Sequence, residues 1–157
     1  MKIFATDVRG PLTNSDLSLI KTNPGVLATA VAKKEAVEEI TRWVFDGLVP
    51  SIVTRDSLEF RFIYEVWLTR NNVPYSNFLM GADRIDLALR YLDASFYITS
   101  DTDSAVDATK ASPDINVYFL RRLYAKPFED NILADDELKD RITFVNSFKE
   151  VAEAERV

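Results

Sequence analysis

Short apolar runs alternate with helix-like stretches along the whole chain, and this alternation constrains the fold more than any other feature. KIFAT (2–6), LVPSIV (48–53), ASFYIT (94–99), INVYFL (115–120) and ITFV (142–145) read as buried strands, with Phe78-Leu79-Met80 as a brief further one. Between them the apolar period changes. Val37, Ile40 and Val44 place one stripe on a helix over about 26–44, which Gly47 ends. Phe60, Ile63, Tyr64, Trp67 and Leu68 fall at i, i+3, i+4, i+7 and i+8 on a second helix, capped by Asp56 or Ser57 and stopped by Val73-Pro74. Asp83 is placed to cap a third helix carrying Ile85, Ala88, Leu89 and Leu92, a short helix covers about 103–111, and Ser147 to Glu150 matches a capping box for the last one.

Strands separated by helices call for right-handed crossovers and a mainly parallel sheet covered on both faces. The expectation is therefore a three-layer, Rossmann-like α/β domain spanning 1–157, with no large cap domain. Gly10, Pro11, Asn14, Ser15, Asn23, Pro24 and Gly25 punctuate a long connection over 10–25, read as a loop or small flap that covers Leu12, Leu17, Leu19 and Ile20. The acidic stretch Glu129–Asp140 reads as a solvated loop with a short helical turn.

Three strands end in polar, chemically capable residues: Asp7, Thr54 and Asp101. In parallel sheets ligands bind beyond the carboxyl ends of the strands, so these ends mark the candidate site. The 157 residues contain no histidine and no cysteine. Imidazole relays, thiolate nucleophiles and zinc sites built on these ligands are thereby excluded. Carboxylates and backbone oxygens remain, and they suit a hard ion such as Mg²⁺. A net charge of −6 argues against broad nucleic-acid or membrane-surface binding, though not against a local basic pocket. No apolar run approaches a bilayer span and no cleavage-site pattern follows the N-terminus, so a cytoplasmic location is expected.

TDVRGPLT after the first strand, SIVTRDS followed by RFIYEVWL, and GADRIDLALRYLDASFYITSDTDSAVDA occur in this order. Together they resemble the motifs of the haloacid dehalogenase-like phosphatase superfamily, whose first motif usually reads D-x-D-G-T/V-x-T. YAKPFEDN and ITFVNSFKEV are similar to closing segments of its nucleotidase-like members, and the second motif is similar to that of its polynucleotide-phosphatase branch as well. The resemblance implies that Asp7 is nucleophile and Mg²⁺ ligand and that the Arg9 carbonyl is a second ligand. It implies that Thr54 binds phosphate, with Arg55 and Lys126 as further substrate contacts. Arg84 would stand where the family has lysine, and Asp101 or Asp103 would complete the metal site. The implied substrate is a small phosphorylated molecule such as a nucleotide.

Arg9 occupies the position at which phosphatases of this family carry a general acid, and Pro11 replaces threonine or valine. A guanidinium does not release a proton near neutral pH. The alternatives are slow turnover, a good leaving group, or a phosphate-binding module that has lost catalysis. Plainer roles compete at each position: Asp7 as a turn aspartate, Thr54 as a helix cap, Asp101 and Asp103 as capping and first-turn acids, Arg84 as a surface arginine and Lys126 as a loop charge. A receiver-like phospho-acceptor domain fits less well, because such a fold carries an acidic pair after its first strand and this one offers Asp7 alone.

Overall fold

The structure, a computed structural model, describes residues 2–15, 22–23, 25–123 and 125–157. Six strands form one sheet: β1 (Ile3–Thr6), β2 (Val49–Thr54), β3 (Asn77–Met80), β4 (Phe96–Thr99), β5 (Asn116–Leu120) and β6 (Ile142–Val145). Their order is β3-β2-β1-β4-β5-β6 and every pairing is parallel. The helices are α1 (Gly25–Ala28), α2 (Lys34–Phe45), α3 (Arg61–Arg70), α4 (Ile85–Leu92), α5 (Thr102–Ala108), α6 (Lys126–Leu133) and α7 (Phe148–Glu155), with a 3-10 turn at Leu58–Phe60. This is the three-layer Rossmann-like arrangement expected, and the described residues contain no inserted cap domain. None of its helices is long and apolar enough to cross a membrane among the described residues.

The period-2 alternation of the strands sorts their side chains into two cores. Phe4, Phe96, Ile98, Tyr118 and Leu120 face one cluster, beneath Trp43 of α2, Tyr64, Trp67 and Leu68 of α3 and Phe148 of α7. Ala5, Tyr97, Val117 and Phe119 face the other, beneath Ile85 and Leu89 of α4, Ala105 and Ala108 of α5 and Ile132 of α6. In the first core Phe4 stacks on Phe96 with ring centroids 5.4 Å apart, and Trp43 meets Phe4 edge-on at 5.1 Å. Aromatic pairs of this geometry contribute about 0.5–1.5 kcal/mol each beyond area burial. They pin β1 to β4, the two strands that carry the candidate acids.

Several expectations are corrected by non-local contacts. The helix over 26–44 divides into α1 and α2, because Thr13 bridges to Ala32 and the Lys33 N–H donates to the Leu12 carbonyl at 2.8 Å. Its buried stripe centres on Ala36, Ile40 and Trp43, with Val37 and Val44 partly covered. Asp83 does not cap α4. The N-cap position is Arg84, which makes no side-chain cap, and the Asp107 carboxylate reaches across from α5 to accept from the Ile85 N–H at 2.7 Å. The acidic stretch begins inside a full helix, α6, which Pro127 can enter because the first turn needs no N–H. At α7 the Ser147 hydroxyl accepts from the Glu150 N–H at 3.1 Å, while the Glu150 carboxylate returns to the N–H of Asn146. Residues 16–21 and 24 of the expected flap, including Leu17, Leu19 and Ile20, lie outside the described residues, as does Tyr124.

Candidate active site

The strand order turns outward in both directions from the β1–β4 pair, so the switch point of the sheet lies between the carboxyl ends of these two strands. A crevice outside that point is the standard ligand position of an open parallel sheet. Asp7 follows β1 and Asp101 follows β4, placing the two carboxylates on either side of it. The Asp7 N–H extends the ladder to the Ile98 carbonyl at 2.9 Å. Its carboxylate accepts from the Val8 N–H at 2.7 Å and, more weakly, from the Thr99 hydroxyl at 3.4 Å. That same hydroxyl accepts from the Asp101 N–H at 3.1 Å, so Thr99 links the two acids.

Asp7 is buried, and its pKa is raised from the ordinary 3.8 to about 7. Burial is the main cause, followed by the negative charge of Asp56; Asp101 adds to it, while the Val8 N–H and Arg9 act in the opposite direction. A carboxylate in this environment is short of positive charge.

The turn after Asp7 is tight. Gly10 has φ +97°, and a Cβ there would lie 2.4 Å from the Ser100 Cβ and 3.3 Å from the Arg122 Cδ. Glycine is required both by the left-handed backbone and by this approach. It seals the β1 loop against the β4 loop and sets Arg122 beside it.

Arg9 turns its guanidinium to Asp56, with Nη2 2.6 Å from Oδ1. The Tyr64 hydroxyl donates to the other Asp56 oxygen. Burial and Asp56 push the tyrosine pKa well up. Asp56 therefore receives two donors from opposite sides and stands near Asp7 as a charged neighbour. Thr54, buried at the end of β2, accepts the Asp56 N–H on Oγ1 at 3.2 Å, which leaves its own proton free to donate.

Arg84 and Arg55 divide the expected cationic roles. Arg84 forms a fork with Asp86, at 3.0 and 2.7 Å. Arg55 instead runs to α5. Its Nε donates to the Ser104 hydroxyl at 3.0 Å and lies 3.9 Å from the Asp101 carboxylate, while its other nitrogens reach the Asp83 carbonyl and Asp107. Asp101 is the N-cap of α5, accepting from the Ser104 N–H at 2.9 Å, so its plainer role is realised together with its position at the switch point. Asp103 is an exposed first-turn acid of α5. Lys126 is exposed on α6 and paired with Asp130 at 2.5 Å. The contacts thus link Asp7 to Asp101 through Thr99, Arg55 to Asp101 through Ser104, and Arg9 and Thr54 to Asp56, whereas Arg84 is paired with Asp86 and Lys126 with Asp130.

Asp56, Tyr64 and Ser104 escaped the sequence reading as site residues. One signal was present for Asp56: an arginine standing beside a candidate nucleophile needs an acidic partner, and TRDS supplies one two residues after Thr54. Tyr64 and Ser104 gave none, because their roles depend on contacts between separate elements.

The donor set is compatible with a hard divalent cation. Two carboxylates converge where Asp7 lacks positive charge, and Arg9, with its carbonyl, belongs to the loop that follows Asp7. Among the described residues no group of three or more acidic, histidine or cysteine side chains could hold a metal. Backbone and water oxygens would have to complete the shell, as is usual for Mg²⁺.

No protein-family model matches the sequence, and no curated protein matches it significantly. Solved structures do match. D,D-heptose 1,7-bisphosphate phosphatase from B. bronchiseptica, complexed with magnesium and phosphate, superposes with a TM-score of 0.71 at 13% identity, covering 99% of this chain and 98% of that one. The Burkholderia thailandensis D,D-heptose 1,7-bisphosphate phosphatase gives 0.68 at 12% identity, covering 99% of both chains. L-2-haloacid dehalogenase from Xanthobacter autotrophicus, with chloropropionic acid covalently bound, gives 0.67 at 7% identity, covering 99% and 98%. At these identities the likeness establishes the fold alone, which this chain shares with those two phosphatases and that dehalogenase.

Proposed function

We propose that this chain is a Mg²⁺-dependent phosphomonoesterase that acts on a small phosphorylated molecule through an aspartyl-phosphate on Asp7. The observation that carries this reading is the pair Asp7 and Asp101, set on both sides of the switch point of a haloacid dehalogenase-like fold and joined through Thr99.

The steps follow from what each side chain can do. An Asp7 oxygen attacks phosphorus, the bond to the leaving oxygen breaks, and the electron pair departs on that oxygen. The Thr54 hydroxyl, with its lone pair already engaged by the Asp56 N–H, donates to a phosphate oxygen. Arg55, beside Asp101, is the cation best placed to offset phosphate charge, ahead of Arg84. Water then attacks phosphorus, the bond to Asp7 breaks, and inorganic phosphate leaves. Asp7, Asp101 and the Arg9 carbonyl would hold Mg²⁺, which when bound supplies positive charge that keeps Asp7 ionised and aligns the phosphate. The proton needed by the leaving oxygen has no donor at Arg9, whose guanidinium is engaged by Asp56. Turnover should therefore favour substrates that need little protonation.

This reading is tested with a panel of nucleotides, sugar phosphates and aryl phosphates, assayed with Mg²⁺ and with EDTA. Mg²⁺-dependent release of phosphate, lost in Asp7→Asn, is the expected result. Activity in Asp7→Asn equal to the parent would overturn it.

The Arg9–Asp56 ion pair supports a second reading, a module that binds phosphate ligands without turnover. Thermal stabilisation by phosphate and Mg²⁺ in a protein that releases no phosphate from any member of the panel would favour it.

A further inference from the structure

Beside Gly10, which Ser100 and Arg122 approach, lies a cavity of about 890 Å³, lined by Asn14, Lys33, Ser100 and Thr102 and by Arg121 and Arg122 among others. Among the described residues no carboxylate belongs to its lining. Arg121 is committed to Glu129, at 2.5 Å. Lys33 and Arg122 have no ion pair among the described residues, although the chain as a whole carries a net charge of −6. They are also near enough to repel: Lys33 is pulled down first by burial and then by the charge of Arg122, with Glu35 acting the other way. Two neighbouring cations that repel each other and form no ion pair among the described residues are unfavourable in the free protein, which makes the cleft a place for an anion.

The position of the cleft says what kind of anion. Ser100, in its wall, immediately precedes Asp101 and packs on Gly10, which follows Asp7 by three residues. Arg122 approaches that same glycine. A molecule whose reacting phosphate sits at Asp7 would reach the cleft by extending past Gly10, against which two of the lining residues, Ser100 and Arg122, lie. The asparagine, serine and threonine side chains of the lining suit a polar, hydroxylated body.

We propose that Lys33 and Arg122 form a second anion subsite, so that the preferred substrate is a small molecule bearing a second phosphate opposite the one removed. The substrate class rests on the phosphatase reading above, whereas anion binding in the cleft does not.

The experiment uses the full chain and the variants Lys33→Gln, Arg122→Gln and their double. Glucose 1,6-bisphosphate and glucose 1-phosphate are compared in Mg²⁺-dependent phosphate release. The affinity of each for the Asp7→Asn protein, with and without the two further substitutions, is measured by calorimetry. A charge-assisted contact to phosphate corresponds to roughly tenfold in affinity. The parent should prefer the bisphosphate by at least about tenfold in KM, and the double variant should lose that preference while its kcat/KM for glucose 1-phosphate stays unchanged. Bisphosphate binding to Asp7→Asn should weaken to the same extent. If turnover is absent but this calorimetric loss is seen, the phosphatase reading fails and the anion subsite stands. Equal affinity for the two sugars, or a bisphosphate preference untouched by the double variant, overturns the subsite.

Discussion

Asp7→Asn is expected to make the metal-free protein more stable above pH 7, not less. The Asp7 pKa rises from 3.8 to about 7 in the folded chain. Below pH 3.8 the group is protonated in both folded and unfolded chains. Between there and pH 7 the unfolded chain releases its proton first, so stability falls as pH rises, at about 1.4 kcal/mol per pH unit for one group. The stabilising contribution is fully present at low pH and is lost by the time pH passes 7. The accumulated loss is on the order of 4 kcal/mol. Asparagine keeps the shape and can still accept from the Val8 N–H, but carries no charge to bury. Thermal melts of both proteins in EDTA at pH 5 and pH 8 isolate the effect, because other groups titrate alike in each. The parent should lose roughly 10 °C relative to the variant over that interval. Mg²⁺ should restore the parent at pH 8 and leave the variant unmoved. Parallel pH slopes for the two proteins would show that Asp7 is not the strained acid described.

A second large effect is expected in the choice of leaving group. General acid catalysis contributes about 10²–10⁴ in rate where the leaving oxygen is basic, and little where it is stable as an anion. With Arg9 bound to Asp56 in place of an acid, p-nitrophenyl phosphate should be hydrolysed faster than an alkyl phosphate by about two to four orders of magnitude. Arg9→Asp alone would set a third carboxylate beside Asp7 and Asp56 and leave Asp56 without its cation. The informative variant is therefore Arg9→Asp combined with Asp56→Asn, in which the amide oxygen can still accept from Tyr64. It should raise alkyl phosphate hydrolysis by about tenfold or more and aryl phosphate hydrolysis little. Equal gains on both substrates would mean that Arg9 limits binding rather than proton transfer.

The candidate site was legible in the sequence to the extent that it depends on strand ends. The apolar run Ile3–Thr6 announces a buried strand, and the first polar residue after it must stand at the carboxyl edge of the sheet, as Asp7 does. Trp67, on the apolar stripe of the second helix, is buried in the core as that stripe requires. The strand order was not legible, yet it brings Asp101 beside Asp7 by threading β4 next to β1. Cation placement was legible least. Arg84 and Arg55 look alike in sequence, but Asp86, two residues away, captures the first, while Ser104 and Asp107, about fifty residues away, draw the second across to α5. Asp107 also replaces Asp83 as the cap of α4, a contact between two helices that no local pattern encodes. Lys126 was chosen from its place in YAKPFED, whereas Arg122, four residues earlier, is the cation beside the Asp7 loop.

The central claim is that Asp7 accepts the phosphoryl group. A crystal structure of the chain with Mg²⁺ and beryllium fluoride tests it directly. The account predicts a trifluoroberyllate joined to an Asp7 carboxylate oxygen, a cation shared by Asp7, Asp101 and the Arg9 carbonyl, and the Arg9 side chain still on Asp56. A bare Asp7, with the fluoride complex bound elsewhere under conditions that saturate the protein, would contradict it.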